Sequence, residues 1–190
     1  MATADIPQRL FQSLAGSGST RVTRPGYQHA GVLVPIVNSE DGLSFLFTKR
    51  TETVETHKGQ VSFPGGVIDR NDANIIATAL REAEEEIGMP REAVQIVGVL
   101  DDLATPTGFV ITPVVGFVET LPTLTPNAEE VDEVFQVPLD FFIERANAAA
   151  ELRMIEGIQL EVWYYKTGPH TIWGATAAII RSLLQRLQLL

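Results

Sequence analysis

The segment that most constrains this chain is Arg-Glu-Ala-Glu-Glu-Glu-Ile at residues 81–87. Glu82, Glu85 and Glu86 fall at i, i+3 and i+4, a spacing that places all three carboxylates on one face of a helix. A separate apolar stripe at helical spacing is formed by Ile76, Leu80, Ala83 and Ile87. The pattern predicts a helix over residues 74–87 that packs one face against a core and presents acid on another.

Carboxylates placed this close together repel one another unless a cation binds among them. Hard oxygen ligands suit Mg²⁺ or Mn²⁺, which fill their remaining coordination positions with water and substrate phosphates. The alternative interpretation is a solvated acidic stripe in which Arg81 pairs with Glu85 at i+4. The flanking sequence favours a metal site with Glu82, Glu85 and Glu86 as ligands.

Residues 66–89 resemble the Nudix box, G-x5-E-x7-R-E-U-x-E-E-x-G-U, where U is aliphatic. The positions that match are Arg81, Glu82, Glu85, Glu86 and Gly88. The early acid of the box is Asp72 rather than Glu, and eight residues instead of seven separate it from Arg81. This insertion precedes the helix, so it leaves the glutamates in register and makes both Asp69 and Asp72 candidates for the early acid.

Residues 46–66 are similar to the signature of coenzyme A pyrophosphatases, L-L-T-x-R-[SA]-x3-R-x3-G-x3-F-P-G-G. The spacing agrees, but Thr51 replaces Ser or Ala and Glu55 stands where that branch has its second Arg. A carboxylate there would repel an anionic substrate, whereas Arg binds phosphate in a bidentate manner. His57 and Lys58 are the candidates to supply the missing charge. The resemblance to this branch covers about residues 29–185.

The Nudix resemblance implies metal-dependent hydrolysis of a nucleoside diphosphate linked to another group. It assigns the divalent ion to Glu82, Glu85 and Glu86, and it assigns Arg81 the orientation of a glutamate through a charged hydrogen bond. We expect Glu85 to accept the proton of the attacking water. Acids of a later loop form a second group of candidates for that role, namely Glu129, Glu130, Asp132 and Glu133.

Substrate contacts are expected from the glycine turn and its nearest cations. Gly65 and Gly66 let the backbone approach a ligand closely, and Arg50 and Lys58 are candidates to bind phosphates of the nucleotide half. The segment Thr-Pro-Thr-Gly-Phe at residues 105–109 predicts a tight turn. Its ligand-facing groups would be the Thr107 hydroxyl, the Gly108 backbone and the Phe109 ring. Solvated cations and a plain turn with Phe109 in the core are the alternatives.

Length and composition predict one domain over residues 1–190, with residues 1–28 as an N-terminal helix and lead-in. The chain has no cysteine, which excludes disulfides and thiolate metal sites. A net charge of -10 argues against nucleic acid and anionic membranes as partners. Without a membrane-length apolar run or a secretory signal, a cytoplasmic location is the default expectation. A homodimer is one candidate for its assembly.

The predicted fold class is α+β (mixed α/β). Strands are expected at residues 30–37, 43–49, 61–63, 94–100, 110–119, 133–137 and 159–165. Further helices are expected at residues 6–14, 139–149 and 175–187. The resemblance implies a Nudix-type α/β/α sandwich with a mixed sheet between helices and the box helix along one sheet edge.

The leading functional hypothesis is metal-dependent cleavage of coenzyme A or its thioesters into adenosine 3',5'-bisphosphate and 4'-phosphopantetheine products. Glu55 favours a second hypothesis, a Nudix hydrolase of ADP-ribose, NADH, a dinucleoside polyphosphate or a nucleoside triphosphate. A third is a non-catalytic ligand-binding Nudix domain. The intact carboxylates at positions 82, 85 and 86 weigh against the third.

Overall fold

A mixed β-sheet forms the centre of the computed structural model, which describes residues 6–14, 18–51, 59–155 and 157–190. Its strands are β1 (Gln28–Ser39), β2 (Gly42–Arg50), β3 (Val61–Ser62), β4 (Gly65–Val67), β5 (Gln95–Val99), β6 (Leu103–Ala104), β7 (Phe109–Val118) and β8 (Val131–Pro138). The order is β3-β2-β1-β7-β5, with β8 paired to β2, β4 to β1 and β6 to β7. Strands β1 and β7 run parallel, whereas the other pairs are antiparallel.

A second sheet follows in the chain and is antiparallel throughout. It consists of β9 (Ala148–Ile155), β10 (Ile158–Thr167) and β11 (His170–Trp173), in the order β11-β10-β9. The helices are α1 (Ile6–Leu14), α2 (Ile75–Ile87), α3 (Leu139–Ile143) and α4 (Gly174–Arg186), with 3-10 turns at Arg91–Ala93 and Arg145–Asn147. None of the helices within the described ranges is long and apolar enough to cross a membrane.

The central strand β1 buries both of its faces because helices cover the sheet on both sides. Leu33 and Val37 point into one buried cluster, together with the α2 residues Ala79, Ala83 and Ile87. The alternate β1 residues point into a second cluster, which contains residues of α1, α3 and α4. The structure therefore confirms the mixed α/β class with a mixed sheet between helices. It places α2 across β1 and β4 rather than along a sheet edge as expected.

The chain after β8 differs from the prediction. A helix was expected over residues 139–149, but α3 ends at Ile143 and residues 148–155 form β9. Three consecutive alanines favour a helix locally. In the fold they pair with β10, where Ala148 lies opposite Tyr165 and Ala149 opposite Tyr164. Tertiary pairing therefore overrides local propensity in this segment.

An N-terminal strap, residues 18–22, is bound to the loop that follows β5. The backbone N–H groups of Thr20 and Val22 donate to the carboxylates of Asp101 and Asp102, at 2.6 and 2.8 Å. Arg21 forms an ion pair with Asp102, whose side chain is 3% exposed. The hydrogen bond from Thr20 lowers the pKa of Asp101. The strap thus ties the start of the chain to the loop leading toward residues 105–109.

Candidate active site

Helix α2 carries the predicted carboxylates and has well-defined ends. The Asn74 side chain accepts hydrogen bonds from the backbone N–H groups of Ile76 and Ala77, each at 3.0 Å, as an N-cap. Gly88 ends the helix in the left-handed region, with φ 67°. These caps fix the register in which Glu82 and Glu86 face the turn between β3 and β4 while the apolar side packs on the sheet.

Arg81 is the centre of a charge network at the start of the acidic face. Its Nη1 lies 2.8 Å from Glu82 Oε1 and 2.9 Å from Glu85 Oε2. Its Nε and Nη2 each donate to the Asp72 carboxylate at 3.0 Å. The hydrogen bonds donated by Arg81 hold the pKa of Asp72 well below its usual range. The same bonds to Asp72 are the main cause that raises the pKa of Arg81. Asp72 is therefore the early acid that contacts Arg81, whereas Asp69 accepts from Asn71 at 2.8 Å.

Glu86 is the most deeply buried of the three glutamates, with 4% of the residue exposed. Burial raises its pKa to about 8, and burial also raises the pKa of Glu82. The Gly65 N–H donates to the Glu86 carboxylate, and Arg50 Nη1 lies 3.6 Å from Glu86 Oε1. Arg50 Nε is itself buried and has no hydrogen-bond partner among the described residues.

One of the four later-loop acids faces the helix. The charge of Glu130 contributes to raising the pKa of both Glu82 and Glu86. Asn127 links the two elements, because its backbone N–H donates to the Glu86 carbonyl at 2.9 Å and its Nδ2 to Glu130 Oε1 at 3.3 Å. The other acids have different neighbours: Asp132 pairs with Lys49 and Glu133 with His170, while the Glu129 carbonyl accepts from Thr51.

The donor chemistry of this face fits a hard divalent cation. Glu82, Glu85, Glu86 and Glu130 supply carboxylate oxygens, which are the ligands that Mg²⁺ and Mn²⁺ prefer. Burial disfavours the charged forms of Glu82 and Glu86, and a bound cation would favour them. Across the described residues, no three His, Cys, Asp or Glu side chains already stand in a ligating arrangement. Arg81 Nη1 lies between Glu82 and Glu85 instead.

A cavity of about 350 Å³ lies beside strand β4, which contains Gly65 and Gly66. The predicted substrate residues on its wall are Arg50, Gly65, Gly66, Thr107 and Phe109. Gly108 is not part of the wall; it holds the turn with φ 84° and donates to the Thr105 carbonyl at 3.3 Å. Lys58, together with His57 and Glu55, lies outside the described residues.

Gly66 joins the cavity to the acidic helix. A Cβ atom added at Gly66 would lie 2.4 to 2.6 Å from the carboxylate atoms of Glu82, closer than real Cβ contacts allow. At Gly65 an added Cβ would meet the Gly31 carbonyl and the Val32 Cα, both at 2.6 Å. Gly65 and Gly66 thus lie in strand β4 rather than in the expected turn, and they let this strand fit between β1 and the acidic face of α2.

The sequence prediction missed one wall of the cavity, which comes from the C-terminal helix. Ala175, Thr176 and Ile179 of α4 line the cavity together with the signature residues. The Thr176 hydroxyl donates to the Val61 carbonyl at 3.3 Å and so links α4 to β3. The available signal was the resemblance to the coenzyme A pyrophosphatase branch, which extends to about residue 185 and so includes this segment without assigning it a contact.

This chain belongs to the Nudix hydrolase family, because the NUDIX domain profile matches residues 27–155. It is 42% identical over 161 residues to a Photorhabdus laumondii protein named Uncharacterized Nudix hydrolase NudL, covering 85% of this chain and 86% of the relative. A Pectobacterium atrosepticum protein of the same name is 42% identical over 164 residues, covering 84% of each chain. The chain is thus a Nudix pyrophosphohydrolase, and enzymes of this family use divalent metal ions.

Solved structures show the same fold at low sequence identity. A MutT/nudix family protein from Enterococcus faecalis superimposes with a TM-score of 0.60 at 16% identity, covering 99% of this chain and 70% of that chain. The Nudix hydrolase RenU from M. smegmatis gives a TM-score of 0.51 at 22% identity, with 66% and 81% covered. These two matches support the architecture described above.

Proposed function

We propose that this chain hydrolyses the diphosphate bond of coenzyme A or its thioesters with Mg²⁺ or Mn²⁺. The observation that carries the proposal is the meeting of two predicted segments at one place. Arg50, Phe63, Gly65 and Gly66 of the coenzyme A pyrophosphatase signature line a cavity of about 350 Å³. The same Gly66 abuts Glu82 of the acidic helix, so a ligand in the cavity would hold its phosphates beside the carboxylates.

In the proposed mechanism Glu82, Glu85 and Glu86 would hold the divalent cation, with Glu130 nearby. When bound, such an ion would supply positive charge to the diphosphate and make the attacking water more acidic. Glu85, whose side chain is 59% exposed, would accept a proton from the attacking water. The water oxygen bonds to one phosphorus, the bridging P–O bond breaks, and the other phosphate leaves with the electron pair. Two phosphomonoesters result.

Arg81 has a positioning role in this scheme. It contacts Glu82 and Glu85 on one side and Asp72 on the other, so it orients two of the proposed ligands. Arg50 lies on the cavity wall and 3.6 Å from Glu86, so its guanidinium would donate to a phosphate oxygen of a ligand in the cavity.

The rest of the substrate would occupy the cavity. Its apolar wall includes Phe63, Phe109, Ile111 and Ile179, which suits an apolar arm or the face of a base. The Thr107 hydroxyl lies on the same wall and can hydrogen-bond a polar group of the ligand. A volume of about 350 Å³ accommodates part of coenzyme A, so the remainder would extend into solvent.

A second candidate is a Nudix hydrolase of ADP-ribose, NADH or a dinucleoside polyphosphate. Glu55 favours it, because the coenzyme A signature has a cation at that position. A panel assay distinguishes the two: coenzyme A, acetyl-coenzyme A, ADP-ribose, NADH and diadenosine polyphosphates, each with Mg²⁺ and with Mn²⁺. The proposal expects the highest kcat/KM for coenzyme A or acetyl-coenzyme A, with adenosine 3',5'-bisphosphate as one product. A higher kcat/KM for another substrate would establish the second candidate, and binding without turnover would overturn both.

A further inference from the structure

Strand β9 is a regular strand at the end of its sheet with an unusually exposed sequence. It pairs on one side with β10 over eight consecutive positions without a bulge. Its other edge has no strand partner in the described part of the chain. Leu152 and Met154 are each 68% exposed on this strand. Natural proteins usually protect such an edge with charged side chains, Pro or a bulge. Strand β9 has no Pro and no bulge, and its two charged residues, Glu151 and Arg153, are of opposite sign.

The sheet that carries β9 packs against the rest of the protein through strand β10. Its partner strand β10 buries Val162 and Tyr165, and the Arg181 guanidinium of α4 lies 3.3 Å from the Trp163 ring centre. Arg153 lies over the Tyr164 ring at 5.2 Å. Strand β9 is therefore presented on an anchored sheet, which reduces the entropy cost of pairing with another strand.

The β9 sequence is complementary to itself when two copies run antiparallel. With a twofold axis at Leu152, Glu151 of each copy lies opposite Arg153 of the other, and Ala150 lies opposite Met154. Moving the axis by one residue would place Glu151 opposite Glu151 or Arg153 opposite Arg153, which is unfavourable. The side chains of Glu151 and Arg153 already lie together on one face, 3.1 Å apart. One register therefore combines opposite charges on one face with apolar contacts on the other.

We propose that a second copy of this chain is the partner of β9, and that two β9 strands pair antiparallel about Leu152. The two three-stranded sheets then form one continuous six-stranded sheet. Leu152 and Met154 lie on the same face and lose solvent exposure on pairing. The contact is isologous, so association stops at the dimer. Because only one strand per copy is involved, the dimer is weak and depends on protein concentration.

The test uses charge reversal, measured by sedimentation velocity on the full chain from micromolar to near-millimolar concentration. The wild type should approach twice the mass of one chain as its concentration rises. Glu151→Arg and Arg153→Glu should each weaken self-association about tenfold or more, because like charges then meet across the axis. Glu92→Arg reverses an exposed charge away from β9 and should leave association unchanged. Circular dichroism verifies the fold of every variant.

Two further samples identify the register. An equimolar mixture of the Glu151→Arg and Arg153→Glu variants brings opposite charges together at both positions, so the mixture should form heterodimers. The double variant Glu151→Arg/Arg153→Glu should regain self-association. A wild type that stays at the mass of one chain, a dimer insensitive to both reversals, growth beyond the dimer, or a mixture that does not associate would each overturn the proposal.

Discussion

Arg81 binds both carboxylate oxygens of Asp72, with Nε and Nη2 each at 3.0 Å, while its Nη1 contacts Glu82 and Glu85. The Asp72 side chain is only 6% exposed. The network thus connects the loop before α2 to the proposed metal ligands, and its integrity can be measured separately from catalysis.

Asp72→Asn should reduce the free energy of unfolding at neutral pH by about 1.5 to 3 kcal/mol, because a charge-assisted pair to Arg81 is lost. Folding lowers the pKa of Asp72 below its ordinary 3.8. The stabilisation from the pair of Asp72 with Arg81 is therefore complete above the ordinary pKa. It disappears as the pH falls through the lower pKa that Asp72 has in the folded state. Urea unfolding should be measured at about pH 7, 4.5 and 3. The difference in free energy of unfolding between wild type and variant should be smallest at the lowest pH.

The matched control for this prediction is Glu92→Gln, which removes an exposed carboxylate. It should change the free energy of unfolding by less than about 0.5 kcal/mol at every pH. The ion-pair explanation would be contradicted if the difference in free energy of unfolding between wild type and Asp72→Asn stayed constant down to about pH 3, roughly one pH unit below the ordinary pKa.

Glu86→Gln should lower turnover by about two orders of magnitude or more, because a proposed ligand loses its charge. The fold should survive, since Gln has the same shape and places no charge at a position that is 4% exposed. Steady-state kinetics at saturating Mg²⁺ and thermal unfolding measure the two effects. Near-normal turnover under those conditions would remove Glu86 from the proposed metal site.

Gly66→Ala should impair catalysis through Glu82, because the added Cβ would lie 2.4 Å from the Glu82 carboxylate carbon. Either the glutamate or strand β4 must shift, and we expect kcat/KM to fall about tenfold or more. Gly18→Ala is the control, since an added Cβ there meets nothing within 4 Å. Equal kcat/KM values for both variants would mean that the contact between Gly66 and Glu82 has no part in the reaction.

Lys58→Ala tests recognition of the 3'-phosphate of coenzyme A, for which Lys58 remains a sequence prediction. Loss of a charged contact to a phosphate costs about 1.5 to 3 kcal/mol, or roughly ten- to hundredfold in kcat/KM. The variant should therefore lose more activity on coenzyme A than on dephospho-coenzyme A, and the wild type should prefer coenzyme A. If the wild type cleaves both substrates equally well and the variant loses the same activity on both, Lys58 does not bind the 3'-phosphate.

The acidic helix was predictable because its determinants are local. Asn74 as N-cap, Gly88 as C-cap and the spacing of Glu82, Glu85 and Glu86 lie within one short segment. The choice between Asp69 and Asp72 was open because the inserted residue changes the loop before the helix. Only the folded loop shows that the Asp72 carboxylate meets Arg81.

The cavity was less predictable because its walls come from distant parts of the chain. Thr176 and Val61, which hydrogen-bond at 3.3 Å, are 115 residues apart, and no local pattern specifies such a contact. Residues 148–150 were predicted wrongly for a different reason. Their alanines favour a helix locally, and the pairing with β10 overrides that preference. Glu130 was one of four equivalent candidates until the structure placed its charge near Glu82 and Glu86.

The C-terminal wall of the cavity lies outside the residues that match the family profile. The NUDIX profile covers residues 27–155, yet Ala175, Thr176 and Ile179 lie beyond that range. A chain trimmed to the matched residues would lose one side of the cavity together with the buried core residues Ile180, Leu183 and Leu184 of α4. The proposed metal ligands and this side of the cavity thus lie in separate stretches of the chain. Substitution of the α4 wall residues, with the core residues of the same helix retained, is the corresponding route to a different ligand preference.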